Sequence, residues 1–187
     1  ARADDLRQAI DIEGLDAATI TKNLGDALAE GLIAPSGKSF KFTHDRIQQA
    51  VYSLIDEKER NRAHLTIGRL LMHHIPEEQR ESRLFDIVNQ WNWGKDIITD
   101  ADERERLSRL NLDAGRKAKQ SSAFKAALEY FETGILLLRE DPWNEQYELT
   151  RNLYTEATEA AYLNGDFTTM DKYYPIVLKN TRDLLEK

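Results

Sequence analysis

The chain has 187 residues, with 33 acidic and 26 basic side chains and a formal net charge of −7 at pH 7. This acidic balance opposes the attraction to phosphate on which nucleic-acid binding depends, and the lack of cysteine excludes disulfides, thiolate metal sites and cysteine nucleophiles. A mean hydropathy of −0.63, without an apolar run near the roughly 20 residues that span a bilayer, favours a soluble, cytoplasmic, helical protein.

Two domains fit this length, because each could bury a core of its own. The first residues contain neither an initiator methionine nor an apolar signal core, so we expect the chain to be a piece of a longer polypeptide. We predict a small module over 1–57 and an array of helical hairpins over 58–187.

The order of elements in the first module predicts a winged-helix-like unit. Apolar residues at helical spacing predict a helix over 17–30, with Asp16 as its cap and Gly31 as its stop. Two short strands, 32–34 and 40–42, flank a run of turn-forming residues and predict a hairpin. Another helix follows this hairpin, so the order in the module is helix, helix, hairpin and helix.

The hairpin turn imitates the end of a nucleotide-binding loop, since Gly37-Lys38-Ser39 matches the last part of that motif. The first glycine of the motif would fall on Leu32, one place after Gly31. A strand rather than a helix follows, so no helix N-terminus would face the phosphates. We therefore interpret the segment as a turn, and we predict no bound cofactor.

A winged helix raises the possibility of DNA binding. The helix over 17–30 has no arginine and ends in acidic residues. The hairpin, which would be the wing, offers only two lysines. The side chains concerned are Lys22, Asn23, Asp26, Glu30, Lys38 and Lys41. We expect no nucleic-acid partner, but a DNA-binding transcriptional regulator with sensing repeats remains the alternative, and salt-sensitive binding to duplex DNA would support it.

A His-Asp pair marks the junction between the second strand and the next helix. Thr43 suits the helix cap, and Asp45 complements the helix dipole ahead of an apolar stripe. Catalysis would need a nucleophile or metal partner and a pocket, and no such residues lie nearby in the sequence. We predict no catalytic residue and interpret His44, Asp45 and Arg46 as a polar corner that contacts a neighbouring domain.

Helical spacing continues through the remaining two thirds of the chain. It predicts a helix capped near Asp56 and stopped by Pro76, a helix over 82–94 and a helix over 101–119. Three tryptophans, Trp91, Trp93 and Trp143, are expected to pack in the core. The adjacent His73 and His74 would project about 100° apart on a helix, so we predict no metal site.

An internal repeat follows, with its two copies 43 positions apart. Small and aromatic residues alternate in the same order around Phe124 and Phe131 and again around Phe167 and Tyr174. We predict two tetratricopeptide-like hairpins with these aromatics in the core. Asp141-Pro142 should restart a helix, and Pro175 should bend or break the last one.

One long stretch resembles a known family. The segment 40–55, FKFTHDRIQQAVYSLI, is similar to the region after the ATPase core of bacterial STAND-class predicted ATPases, which lie between a serine/threonine-kinase-like domain and a sensor histidine kinase. The likeness continues through 64–71, 84–90 and 103–115. After Asn89-Gln90 the family commonly shows an Asn-x-Gly ending, and this chain reads Trp91-Asn92-Trp93-Gly94 there, with an extra tryptophan.

The resemblance implies a place in two-component signal transduction. The family's Walker residues would lie upstream, so its ATPase activity does not transfer to this chain. We hypothesise a non-enzymatic regulatory segment that contacts adjoining ATPase and kinase domains of its own polypeptide. Its helical array would offer a concave face to peptides or other proteins.

Overall fold

A computed structural model describes residues 17–37 and 39–182, and the fold is mostly α, as predicted. Within these residues ten α-helices and a 3₁₀-helix accompany one two-stranded sheet. The first module contains α1 (Ala17–Ala29), β1 (Ile33–Ser36), β2 (Ser39–Phe42) and α2 (Asp45–Leu54). The predicted cap Asp16 lies outside the described residues.

The remaining elements are helical. They are α3 (Glu57–His74), α4 (Glu77–Arg80), α5 (Leu84–Trp93), the 3₁₀-helix η1 (Lys95–Ile97), α6 (Ala101–Gln120), α7 (Phe124–Leu136), α8 (Pro142–Glu145), α9 (Tyr147–Leu163) and α10 (Phe167–Asn180). The Asp56 carboxylate caps α3 by accepting the Lys58 N–H at 3.0 Å. Pro142 occupies the first turn of α8, as predicted, but this helix lasts a single turn before α9 begins.

The predicted hairpin is present and antiparallel. Ile33 pairs with Phe42 and Ser36 with Ser39, and every strand limit lies within two residues of its prediction. Gly31 ends α1 with a φ of 69°, and the Leu32 N–H bonds to the Ala27 carbonyl at 2.9 Å. Only glycine adopts this left-handed conformation without a steric cost, which explains the stop.

The buried core lies in the helical array. Among the described side chains, none before Leu65 is buried. That the first module buries a core of its own stays a prediction, because residues 1–16 lie outside the described part of the chain.

Two glycines bring α3 and α5 into close contact. A Cβ on Gly68 would lie 3.0 Å from the Trp91 backbone nitrogen, and one on Gly94 would lie 2.6 Å from the Leu65 Cβ and 2.8 Å from the Asn61 carbonyl oxygen. The backbones of the two helices therefore approach without an intervening layer of side chains.

The 43-residue repeat appears in the backbone as two helical hairpins, α6–α7 and α9–α10. The turn of the first places Ser122 at φ 59° and bonds the Ala123 N–H to the Ala118 carbonyl at 3.0 Å. The turn of the second places Gly165 at φ 74° and bonds the Asp166 N–H to the Ala161 carbonyl at 2.9 Å. Both turns are the same glycine-type helix ending, although the first is built with serine.

The aromatic positions of the repeat differ between the two hairpins. Phe131 is fully buried, and its ring occupies the space beside Gly115, where a Cβ would lie 2.3 Å from its Cε1. The equivalent of Gly115 in the second hairpin is Thr158, and there Tyr174 is 49% exposed. Tyr173 is buried instead, and its hydroxyl donates to Glu132 Oε1 at 2.9 Å.

Pro175 was expected to bend or break the last helix, and α10 continues through it without a break. Pro175 and Asp171 are both exposed, so water can donate a hydrogen bond to the Asp171 carbonyl in place of the missing N–H. Two expectations about burial are wrong. Phe167 and Tyr174 are exposed rather than buried in the core. Trp91 is buried as expected, but Trp93 lies on the surface.

Candidate protein-interaction surface

The predicted corner of His44, Asp45 and Arg46 lies at the start of α2 with all three side chains exposed. His44 is the residue that precedes the helix, with φ −143° and ψ 139°, and its carbonyl accepts the N–H groups of Ile47 and Gln48. Its imidazole makes no capping bond. Asp45 occupies the first turn, as predicted, where a carboxylate complements the helix dipole.

Thr43 does not cap α2. Its hydroxyl lies 2.8 Å from the Gly31 carbonyl oxygen and 3.2 Å from that of Leu32, and its N–H bonds to the Leu32 carbonyl at 3.1 Å. The prediction of Thr43 as the cap is wrong because the carbonyls after α1, distant in the sequence, compete for the hydroxyl. Thr43 joins the end of β2 to the end of α1 and so holds the corner in place.

Several large apolar side chains of the first module are exposed. Phe40 and Phe42 are two residues apart on β2, so their side chains share one face of the hairpin. Their cross-strand partners on β1 are Pro35 and Ile33. Val51, Leu54 and Ile55 recur at helical spacing on and just after α2. We call the following set the module surface, with exposed fractions of its apolar members from 36% to 85%: Leu32, Phe40, Phe42, His44, Asp45, Arg46, Val51, Leu54 and Ile55.

His64 links the module to the helical array. Its Nε2 lies 2.7 Å from the Tyr52 hydroxyl of α2, and its Nδ1 lies 2.7 Å from Gln90 Oε1 of α5. Since the amide oxygen can only accept, the proton is on Nδ1 and Nε2 accepts from the tyrosine. Trp93 stacks on the same imidazole with ring centroids 5.6 Å apart.

A buried carboxylate joins α3, α5 and α6 behind this contact. Arg69 donates two hydrogen bonds to Glu103, at 2.7 and 2.8 Å, and the Trp91 indole N–H donates a third at 3.1 Å. The hydrogen bonds from Arg69 hold the pKa of Glu103 below its usual value, against the opposing effect of burial. Asn92 and Asn111 bond reciprocally beside it, at 2.8 and 2.9 Å.

A second carboxylate joins the two hairpins. Glu156 of α9 accepts from Arg116 at 2.7 Å and from Lys119 at 2.6 Å, both on α6. Burial raises the pKa of Glu156, but the bonds from Lys119 and Arg116 outweigh it and leave the pKa lowered. Both carboxylates have satisfied partners inside the array, so their role is structural.

The described residues hold no group of three or more histidine and acidic side chains placed to bind a metal ion. None of the helices within 17–182 is long and apolar enough to cross a membrane. Sequence patterns gave no sign of the contacts of His64 or Glu103, because their partners lie 12 to 34 residues away along the chain. Only the extra tryptophan in Trp91-Asn92-Trp93-Gly94 marked this region as unusual.

The chain is similar to part of a eukaryotic signalling protein. It is 34% identical over 167 residues to the hybrid signal transduction histidine kinase G of Dictyostelium discoideum. The match covers 76% of this chain but only 5% of that relative. No family model and no solved structure matches the chain.

Proposed function

We propose that the chain is a non-catalytic regulatory segment of a larger signal-transduction protein, and that its module surface docks on an adjoining ATPase domain. The observation that carries the proposal is the module surface itself. It combines six exposed apolar side chains with the charged corner, in a module without a buried side chain among those described. Exposed apolar side chains in such number are typical of contacts with other proteins.

The similarity to a hybrid histidine kinase supports the signalling context. The relative is far longer than the aligned region, which is consistent with a segment that works beside other domains. The resemblance of 40–55 to the region after the ATPase core of STAND-class proteins supports an ATPase as the neighbour. That segment includes the corner and most of the module surface.

The contact through His64 supports a relay. A domain that binds the module surface would act on α2, and Tyr52 of α2 bonds to His64 of α3. Gln90 and Glu103 extend the polar contacts to α5 and α6. The array would thereby communicate the state of the ATPase to signalling domains that contact its other helices.

Nucleotide turnover by the intact parent polypeptide tests the proposal, compared with a version that lacks residues 1–187. We expect deletion to change the rate and the separate chain to rebind saturably. Leu54→Ser on the module surface should weaken rebinding about tenfold, since a buried apolar anchor contributes more than 1 kcal/mol. His44→Ala and Asp45→Ala should weaken it as well.

Leu136→Ser is the matched control, because Leu136 is also a largely exposed leucine but lies at the end of α7 in the array. It should leave rebinding unchanged. An unchanged turnover rate on deletion, together with no rebinding, would contradict the proposal. If both leucine substitutions weakened rebinding equally, the module surface would not be the docking site.

A further inference from the structure

In the first hairpin, one face of α7 is covered by the next helix of the array, α9. Three residues that share this face pack in one core cluster with α9: Leu128, Phe131 and Ile135. Their partners on α9 include Leu149 and Leu153. Because the two turns fix the 43-residue register, each position on this face has a known equivalent on α10.

The equivalent face of α10 is exposed. Asp171, Tyr174 and Leu178 occupy the three positions, and Leu178 alone is half-buried rather than exposed. Phe167, one turn earlier on the same face, is 57% exposed and meets the ring of Tyr162 edge-on, with centroids 6.3 Å apart. A hairpin with nothing over it is expected to carry a polar outer face, which these aromatics do not provide. We call the following set the outer face: Glu159, Tyr162, Phe167, Asp171, Tyr174 and Leu178.

Two acidic side chains distinguish the outer face from its equivalent in the first hairpin. There the bases Arg116 and Lys119 hold α9 by donating to Glu156. The second hairpin has Glu159 at the position of Arg116, and Asp171 at a position that is apolar on α7. Both carboxylates are exposed, although Glu159 accepts from Lys119 at 2.9 Å. A helix on the outer face would therefore meet acidic groups where α9 meets basic ones.

The exposed lysines of α10 lie beside the outer face rather than on it. Lys172 and Lys179 are equivalent to Glu129 and Leu136 of α7, which stay exposed although α9 covers the neighbouring face. The Lys172 ammonium lies over the ring of Tyr173, 4.7 Å from its centroid. The charge that a covering helix would face is therefore negative.

We infer that the outer face binds a basic amphipathic helix, which lies on α10 as α9 lies on α7. The apolar stripe of this helix would cover Phe167 and Tyr174, and its Lys or Arg side chains would pair with Glu159 and Asp171. The inference is independent of docking on an ATPase domain, because it uses no residue of the module surface.

Two labelled peptides test the inference by fluorescence anisotropy with the full 187-residue chain. The lysine peptide has the sequence of α9, residues 147–163, with Glu156→Lys, and the glutamate peptide keeps Glu156. The sequence of α9 is chosen because its apolar stripe already fits the equivalent face, and equal lengths cancel the cost of forming a short helix. We expect saturable binding of the lysine peptide, about fivefold tighter than that of the glutamate peptide.

Substitutions on the outer face should weaken or reverse this binding. Tyr174→Ala and Phe167→Ala should each weaken it about tenfold, and both side chains are exposed enough for the variants to fold. Glu159→Lys should reverse the preference, so that the glutamate peptide binds more tightly. Trp93→Ala is the matched control, because Trp93 is an equally exposed aromatic on α5, and it should leave the affinity unchanged.

The inference is overturned if the lysine peptide does not bind saturably up to about 1 mM. A wild-type chain that prefers the glutamate peptide would also overturn it, since the peptide would then be replacing α9 beside Arg116 and Lys119. So would equal weakening by Trp93→Ala and Tyr174→Ala.

Sedimentation equilibrium of the chain alone tests whether a second copy covers the outer face instead. We expect a monomer. A dimer that dissociates in Tyr174→Ala would assign the outer face to a second copy and overturn the inference. None of these results would alter the docking experiment with Leu54→Ser.

Discussion

The two hairpins of the array share a turn but differ in how their helices are held together. Both turns place a left-handed residue at equivalent positions and make the same pair of backbone bonds. Between the helices, Gly115 admits the ring of Phe131, whereas the second hairpin has Thr158 at the equivalent position, exposes Tyr174 and buries Tyr173. The comparison teaches that a repeat can conserve its backbone while a different aromatic position enters the core.

The largest expected effect is at the aromatic position itself. Phe131→Ala should lower the free energy of unfolding by about 4 kcal/mol, because it leaves a cavity beside Gly115. Tyr174→Ala at the equivalent position should change it by less than about 0.5 kcal/mol, since Tyr174 is half exposed. Urea denaturation measures both, and equal losses would show that the two hairpins are packed alike.

The small residue beside the ring is the next test. Gly115→Ala should cost about 3 kcal/mol, because the new Cβ would lie 2.3 Å from Phe131 Cε1 in a fully packed site. Thr158→Ala should be neutral or slightly stabilising, since alanine is the better helix former. A tolerated Gly115→Ala would mean that close approach does not hold the first hairpin together.

The carboxylate between the hairpins gives an intermediate, pH-dependent effect. Glu156→Gln should lower stability by on the order of 2 kcal/mol at pH 7, because hydrogen bonds to Arg116 and Lys119 lose their charge assistance. The pKa of Glu156 is lowered in the folded state, so its contribution is complete above the ordinary value of 4.5 and is lost as the pH falls below it.

Thermal melts between pH 3 and pH 7 measure this difference. The melting temperatures of the wild type and Glu156→Gln should converge at the acid end. Glu159→Gln is the control, because Glu159 also bonds to Lys119 but is largely exposed and should contribute little. A difference that stays constant with pH would contradict the assignment.

The smallest effect comes from exchanging the turn residues. Ser122→Gly should stabilise the chain by about 1 kcal/mol, because glycine adopts a φ of 59° without strain. Gly165→Ser should destabilise it by a similar amount. Opposite signs in chemical denaturation would establish the equivalence of the two turns, and equal signs would refute it.

The sequence predicted what depends on neighbours along the chain. Helix limits fell within a few residues of those observed, and the repeat was found from spacing alone. The choice between Tyr173 and Tyr174 could not be predicted, because adjacent aromatics satisfy the same pattern and the partner of the buried Tyr173, Glu132, lies 41 residues away. The role of Thr43 was missed for the same reason, since its partners are the carbonyls of Gly31 and Leu32.

The candidate surfaces were predicted unevenly. The corner of His44, Asp45 and Arg46 was found because a strand and a helix meet there. The ring contacts of His64 with Tyr52 and Trp93 were not predicted, because they join residues that only the fold brings together. The exposure of Trp93 was not predicted either, since helical spacing alone does not tell which faces of α5 the other helices cover.

The glycines between α3 and α5 also have a mechanical consequence. Where two helices meet through side chains, a displacement of one can be absorbed by rotamer changes before it reaches the other. At Gly68 and Gly94 the backbone of one helix lies directly against the other, so few side-chain rotations can absorb a displacement there. A displacement at His64 would therefore move α3 and α5 together and reach α6 through Glu103.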